Sequence, residues 1–224
     1  MKTKIILIVL FLIANLFPQV REIKSISFLS QGDFEVNFST SLGAAFSRYH
    51  STNTDKSFNF YDSTYSTNTY SSDHSGRDFL FLLSASIGYY FIDGLSFEPE
   101  LEINLISSDE ISVSILANLT YNIRTSSNKV IPYIKLGYGL GNYLTDYNYY
   151  GGSSDNSLDT KVFNAALGIK LAHNPGLVMR LELNYKSYSN VNSYSYSNSY
   201  SQTSTETESG IDALSIAFGY SILF

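Results

Sequence analysis

The closing residues of the chain set the strictest limit on its fold. Leu214-Ser215-Ile216-Ala217-Phe218-Gly219-Tyr220-Ser221-Ile222-Leu223-Phe224 places a large apolar or aromatic side chain at every even position. The odd positions are small, Leu223 excepted. A period of two belongs to a strand with one greasy face and one face of small residues. Seven segments upstream repeat it: about Asp33–Tyr49, Arg77–Ile92, Leu95–Ile106, Glu110–Arg124, Val130–Asn142, Thr160–Ala172 and Leu177–Tyr188, with the eighth at Gly210–Phe224. Each is long enough to cross a bilayer as a tilted strand, which takes about 9–11 residues.

The connections differ in kind. Asp93-Gly94, Thr125–Lys129 and His173–Gly176 read as tight turns, and Asp-Gly is a strong hairpin signal. Ser107–Asp109 is also short. The links His50–Gly76, Tyr143–Asp159 and Ser189–Ser209 are long, and the sequence predicts them as loops. Short turns at one end and long links at the other are how transmembrane barrels are connected, with the long links outside.

The two faces show which one meets lipid. Only 15% of residues are charged, while Tyr numbers 19 and Phe 15. On the apolar face the charges are Arg48, Arg77, Lys161 and Asp212, all at strand ends. The other face is rich in Gly, Ser, Ala and Asn, as the crowded inside of a narrow barrel requires. A water-facing wall would carry longer polar side chains. The small face also holds Glu35, Glu98, Glu100, Glu102 and Glu182 with Arg124, Lys135, Lys170, Arg180 and Lys186. Buried charges must be paired or solvated, so these ten predict a network of ion pairs filling the lumen. Pro99, a few residues past Asp93-Gly94, predicts a bulge near the rim, because proline cannot donate to the ladder.

Other features narrow the chemistry. A net charge of −6 argues against a nucleic-acid partner, and the absence of Cys removes disulfide and thiolate chemistry. Lys2 and Lys4 precede an apolar run from Ile5 to Phe17, too short to span a membrane as a helix. Residues 1–20 therefore read as a signal peptide, 21–32 as a periplasmic N-terminal segment and 33–224 as the barrel. His50 with Ser47 or Ser51 and Asp55 is the one arrangement that suggests a hydrolase, and no nucleophile elbow supports it. His50, His74 and Asp73 match no recognised metal-binding spacing. No catalytic, cofactor or metal residue is expected. The long links are dominated by Ser, Tyr, Asn and Thr, a composition that suits contact surfaces because Tyr offers large area at low entropy cost.

Four stretches carry a family resemblance: Ile216, Phe218, Tyr220, Ile222 and Phe224 at the end; Gly88-Tyr89-Tyr90-Phe91 before Asp93-Gly94; Pro132-Tyr133-Ile134; and Leu181-Glu182-Leu183-Asn184-Tyr185. Together they resemble the small outer-membrane β-barrel proteins of the OmpA/OmpX type. The resemblance implies an all-β, eight-stranded, antiparallel up-and-down transmembrane barrel in the outer membrane of a Gram-negative-type bacterium. It implies lipids and lipopolysaccharide around the wall, and a terminal pattern read by the β-barrel assembly machinery. It implies no cofactor. The expected role is structural, or contact with an extracellular ligand through the loops. Passage of small solutes and modification of outer-membrane lipids are the alternatives.

Overall fold

The computed structural model describes residues 29–59, 64–106, 111–125, 129–142, 159–174, 176–197 and 201–224. Eight strands form: β1 Phe34–Asn59, β2 Thr64–Ile92, β3 Leu95–Ile106, β4 Ile111–Asn122, β5 Val130–Gly141, β6 Thr160–Asn174, β7 Leu177–Ser197 and β8 Ser201–Leu223. Each pairs antiparallel with its neighbours in sequence, and β1 closes on β8 to give a barrel with no edge in its wall. The expected fold class is the observed one.

Period two decides what faces where. In β1, Leu42 is 53% exposed and its neighbour Ser41 only 5%. In β8, Ile216 is 61% exposed and Ser215 only 3%. The register sets like against like: Leu42 lies beside Ile216 on one side and Phe81 on the other. The outer wall carries exposed Leu83, Ile115, Leu119, Leu136, Leu167 and Leu183 at mid-height. Exposed aromatics stand toward both rims, with Phe34, Tyr89 and Tyr220 near the tight turns and Phe46, Phe79, Tyr138 and Phe163 near the other end. Phe34 and Tyr89 rings touch at 5.0 Å.

Gly94 and Gly176 take φ of 76° and 78° at the tight turns, a left-handed conformation that other residues resist. The register shift between β2 and β3 falls at Tyr90/Ile92, so the rim bulge belongs to Phe91 and not to Pro99. Pro99 sits in register opposite Ala117 of β4. On its β2 side the pairing lapses between Ser86↔Glu100 and Tyr89↔Phe97, as a residue without an N–H would cause.

Two of the expected loops are strands. β1 and β2 continue as a hairpin to Asn59 and Thr64, and β7 and β8 continue to Ser197 and Ser201. β1 also stays paired with β8 as far as Ser57↔Ser201. The order β7-β8-β1-β2 thus becomes a four-stranded sheet standing on half of the barrel's circumference. β2 alone carries sixteen residues beyond Leu80, the first residue paired with β3. That is roughly 50 Å of strand at about 3.3 Å per residue. The third long link lies outside the described residues except for Asp159.

Candidate functional site

The lumen is built in three layers. At the tight-turn end Leu29, Tyr90, Ile131, Val178 and Leu223 form a buried apolar floor. Leu29 comes from the segment before β1, which folds into the barrel mouth. Gly94 N donates to Leu29 O at 2.9 Å, Gln31 N to Asp93 Oδ1 at 2.8 Å and Gly32 N to Tyr90 O at 2.7 Å. Gly32, at φ 92°, allows the tight bend. At the other end Ala45, Leu80, Leu82, Leu116, Val162, Tyr188, Ile211 and Ala213 form a buried apolar lid.

Between them lies the charge. Glu35, Glu98, Glu100, Glu102, Glu182, Lys135, Lys170, Arg180 and Lys186 are all at most 4% exposed. The pairing has two centres. In the lower one Lys170 Nζ reaches Glu35 Oε2 at 2.6 Å, and Tyr90 Oη donates to the same oxygen at 2.5 Å. Arg180 is the hub. Its guanidinium meets Glu35 at 3.4 Å, Glu98 at 3.4 Å and Glu182 at 3.1 Å, and its Nε donates to Tyr133 Oη at 3.2 Å. In the upper centre Lys186 pairs with Glu102, to which Tyr188 Oη also donates at 3.0 Å. Lys135 extends the lower centre to a fourth carboxylate, at 2.9 Å from Glu182 and 3.6 Å from Glu100.

Nine of the ten lumen residues expected from the sequence meet here. Arg124 does not: β4 ends at Asn122, and Arg124 is exposed beyond it. Five buried carboxylates therefore face four buried cations. Glu100 is the least well matched, and the amide of Asn118 supports it by donating at 2.8 Å. Tyr90, Tyr133 and Tyr188 were not anticipated, although their strand parity with the buried glutamates and lysines was the available signal.

The glycines of β5 show how tight the interior is. A Cβ at Gly139 would stand 2.1 Å from the Ile115 carbonyl oxygen, and one at Gly137 would stand 1.9 Å from Asn118 Oδ1. β5 can approach β4 this closely only without side chains at these positions.

The protruding sheet is the second candidate. Its ladder is reinforced by short polar pairs between β1 and β2: Ser57 Oγ with Ser66 Oγ at 2.9 Å, and His50 Nδ1 with Asp73 Oδ1 at 2.6 Å. The hydrogen bond that His50 donates to Asp73 raises the His50 pKa above its ordinary value, and Glu208 and Glu206 on β8 act in the same direction. Arg48 and Asp212 pair at 2.9 Å where the sheet leaves the barrel.

The hydrolase arrangement does not assemble. His50 lies on the face that continues the outer wall, with Asp73 and Thr52. Strand alternation puts Ser47, Ser51 and Asp55 on the opposite face of β1. The metal reading fails similarly: His74 packs edge-on to Tyr49, and among the described residues no three His, Cys, Asp or Glu side chains are placed to hold an ion.

The decisive geometry is the reversal of inside and outside: a greasy exposed belt around a buried charged interior, on a closed ladder. Only hydrocarbon outside makes that arrangement favourable, since in water the greasy face would turn inward and the charges outward. The geometry is that of an eight-stranded transmembrane β-barrel. Lipid therefore surrounds its wall.

No protein-family model matches the sequence, and no curated protein matches it. Solved structures with a similar fold include a de novo designed transmembrane β-barrel, at 12% identity over 88% of this chain and 99% of the other, TM-score 0.41. They include Neisserial surface protein A, at 18% identity over 80% and 97%, TM-score 0.39. The N-terminal β-barrel domain of Pseudomonas aeruginosa OprF matches at 15% identity over 80% and 97%, TM-score 0.42.

Proposed function

We propose that the barrel is a non-enzymatic anchor with a closed lumen, and that its working surface is the protruding four-stranded sheet. The observation that carries this is the contrast between the two ends of the same strands. Inside the wall, β1, β2, β7 and β8 contribute to a lumen closed by apolar residues above and below an ion-paired layer. Beyond the wall they form an exposed surface of Ser, Thr, Asn and Tyr with few charges. Tyr65, Tyr70 and Tyr196 are exposed there at 71%, 62% and 53%, a supply of contact area that the barrel does not need for folding.

Each part of the chain has a role in this reading. The lumen network of Glu98, Glu100, Glu102, Lys135, Lys170, Arg180, Glu182 and Lys186 makes the interior solid, and Glu35 belongs to it. The face of Ile216, Phe218, Tyr220, Ile222 and Phe224 is the signal for the assembly machinery. Arg77 and Lys161, exposed at the outer rim, suit the phosphates of lipopolysaccharide. An extracellular ligand binds the sheet.

The test is a variant in which both hairpins are cut back, Tyr49 joined to Ser75 and Asn190 to Ser209 by short turns. The expected result is an unchanged heat-dependent gel shift in the outer-membrane fraction, with loss of attachment of expressing cells to surface matrices. Full attachment by the shortened barrel contradicts the reading. Solute passage is distinguished by uptake, which the shortened barrel should leave at the level of the parent.

A further inference from the structure

The protruding sheet has two open edges. β2 pairs with β3 only from Leu80 toward the turn. From Ser66 to Ser72 the backbone edge away from β1 has no pairing strand among the described residues. β7 pairs with β6 out to Lys161↔Ser189, and its edge from Asn190 to Ser197 has no pairing strand on that side among the described residues. Exposed edges are usually guarded by charge, proline or a bulge, because they template pairing with other chains. These are not. Ser66–Ser72 and Asn190–Ser197 contain no charged residue and no proline, and the ladders behind them run without a register shift.

We infer that the two edges pair with each other between neighbouring copies, joining the protruding sheets of adjacent barrels into one continuous sheet above the membrane. The membrane fixes the geometry. Copies inserted in one bilayer share an orientation and are related only by translation or by rotation about its normal. β7 runs outward and β2 runs back toward the bilayer. β2 of one copy beside β7 of the next is therefore antiparallel. Either edge against its own counterpart would be parallel, which is the weaker pairing per residue.

Position agrees with direction. The two edges bound a sheet built on four of the eight strands, so they face neighbours on opposite sides of the barrel. Both stretches are neutral, so no like-charge repulsion opposes their meeting. The contact is heterologous, with different surfaces on the two partners, and it generates rows or rings rather than isolated pairs. The inference rests on the preceding reading only in placing the sheet outside the membrane. Its test reads contacts between copies, and the attachment assay does not.

The chain has no cysteine of its own, so each introduced thiol is unique. Ser71→Cys on β2 and Ser193→Cys on β7 are made singly and together, and intact outer membranes are treated with a short bifunctional thiol reagent. The doubly substituted chain should give a ladder of dimers, trimers and higher bands. Each single variant should stay monomeric, and coexpression of the two should give one dimer band. Adding Thr67→Lys and Thr69→Lys to the double variant guards the β2 edge. It should reduce the ladder at least tenfold while the heat-dependent shift is kept. Dimers from one single variant would overturn the proposal in favour of like-edge pairing. Adducts from Ser71→Cys alone, of a mass that is no multiple of the chain, would overturn it in favour of a foreign peptide. A folded double variant without a ladder, or a ladder indifferent to the lysines, would overturn it as well.

Discussion

The lumen and the protruding sheet are both polar, both β, and made in part from the same four strands. Their polar groups nevertheless do different work. In the lumen nine charged side chains are removed from water, and each has an opposite charge within 4 Å. Removing one partner there leaves a buried charge uncompensated. On the sheet the charges are few and wet, and the contacts are mostly between short hydroxyl side chains that water replaces at little loss. The difference teaches that the cost of a substitution follows solvent access rather than polarity. The lumen should be brittle and the sheet tolerant.

The sharpest way to break that comparison is Arg180→Met. The guanidinium serves three carboxylates, and its loss should destabilise the barrel by about 3–5 kcal/mol, the range for breaking a buried pair. The check is the temperature at which the folded gel band disappears, which should fall clearly. A variant as heat-resistant as the parent would mean the lumen is wetter than its burial indicates. Next comes Gly139→Ala, which sets a methyl against the Ile115 carbonyl and should cost about 1–3 kcal/mol by overpacking. Glu100→Gln sharpens the account, because this carboxylate is the one left over from four cations. It should change stability by less than about 1 kcal/mol, since an amide keeps a hydrogen bond to Asn118 and removes the surplus charge. Thr54→Ala, in the exposed part of β1, should fall within about ±0.5 kcal/mol.

The smallest effect concerns pH. His50 is raised chiefly by its bond to Asp73, so the pairing is complete below the ordinary histidine value and is lost as pH rises through the raised one. Amide exchange of the β1–β2 hairpin should be slower at pH 5 than at pH 8 after correction for intrinsic rates, and Asp73→Asn should erase that difference.

The same contrast explains what could be read from the sequence. β3 is placed to the residue, and β2, β5 and β7 end or begin where expected at their tight turns, because lipid outside and charge inside make alternation visible. Nine of the ten lumen residues follow from parity in the same way. The outward parts of β1, β2, β7 and β8 did not show, because both faces meet water and nothing contrasts. Residues 50–75 and 187–209 contain no glycine and no proline, which was a usable sign of continuous strand. The floor residue Leu29 was not legible either. Its burial depends on a mouth formed by strands as much as 194 positions away, ending in Leu223. Arg124 was misplaced because parity was carried two residues past the last paired one, Asn122.

The most direct measurement is the conductance of the purified, heat-shifting protein in a planar bilayer. A lumen closed by apolar floor and lid around paired charges predicts a flat baseline, with no stable steps as the voltage is raised. Reproducible unitary steps, altered in size by Lys135→Glu, would show an open water-filled path through the barrel and contradict the closed lumen.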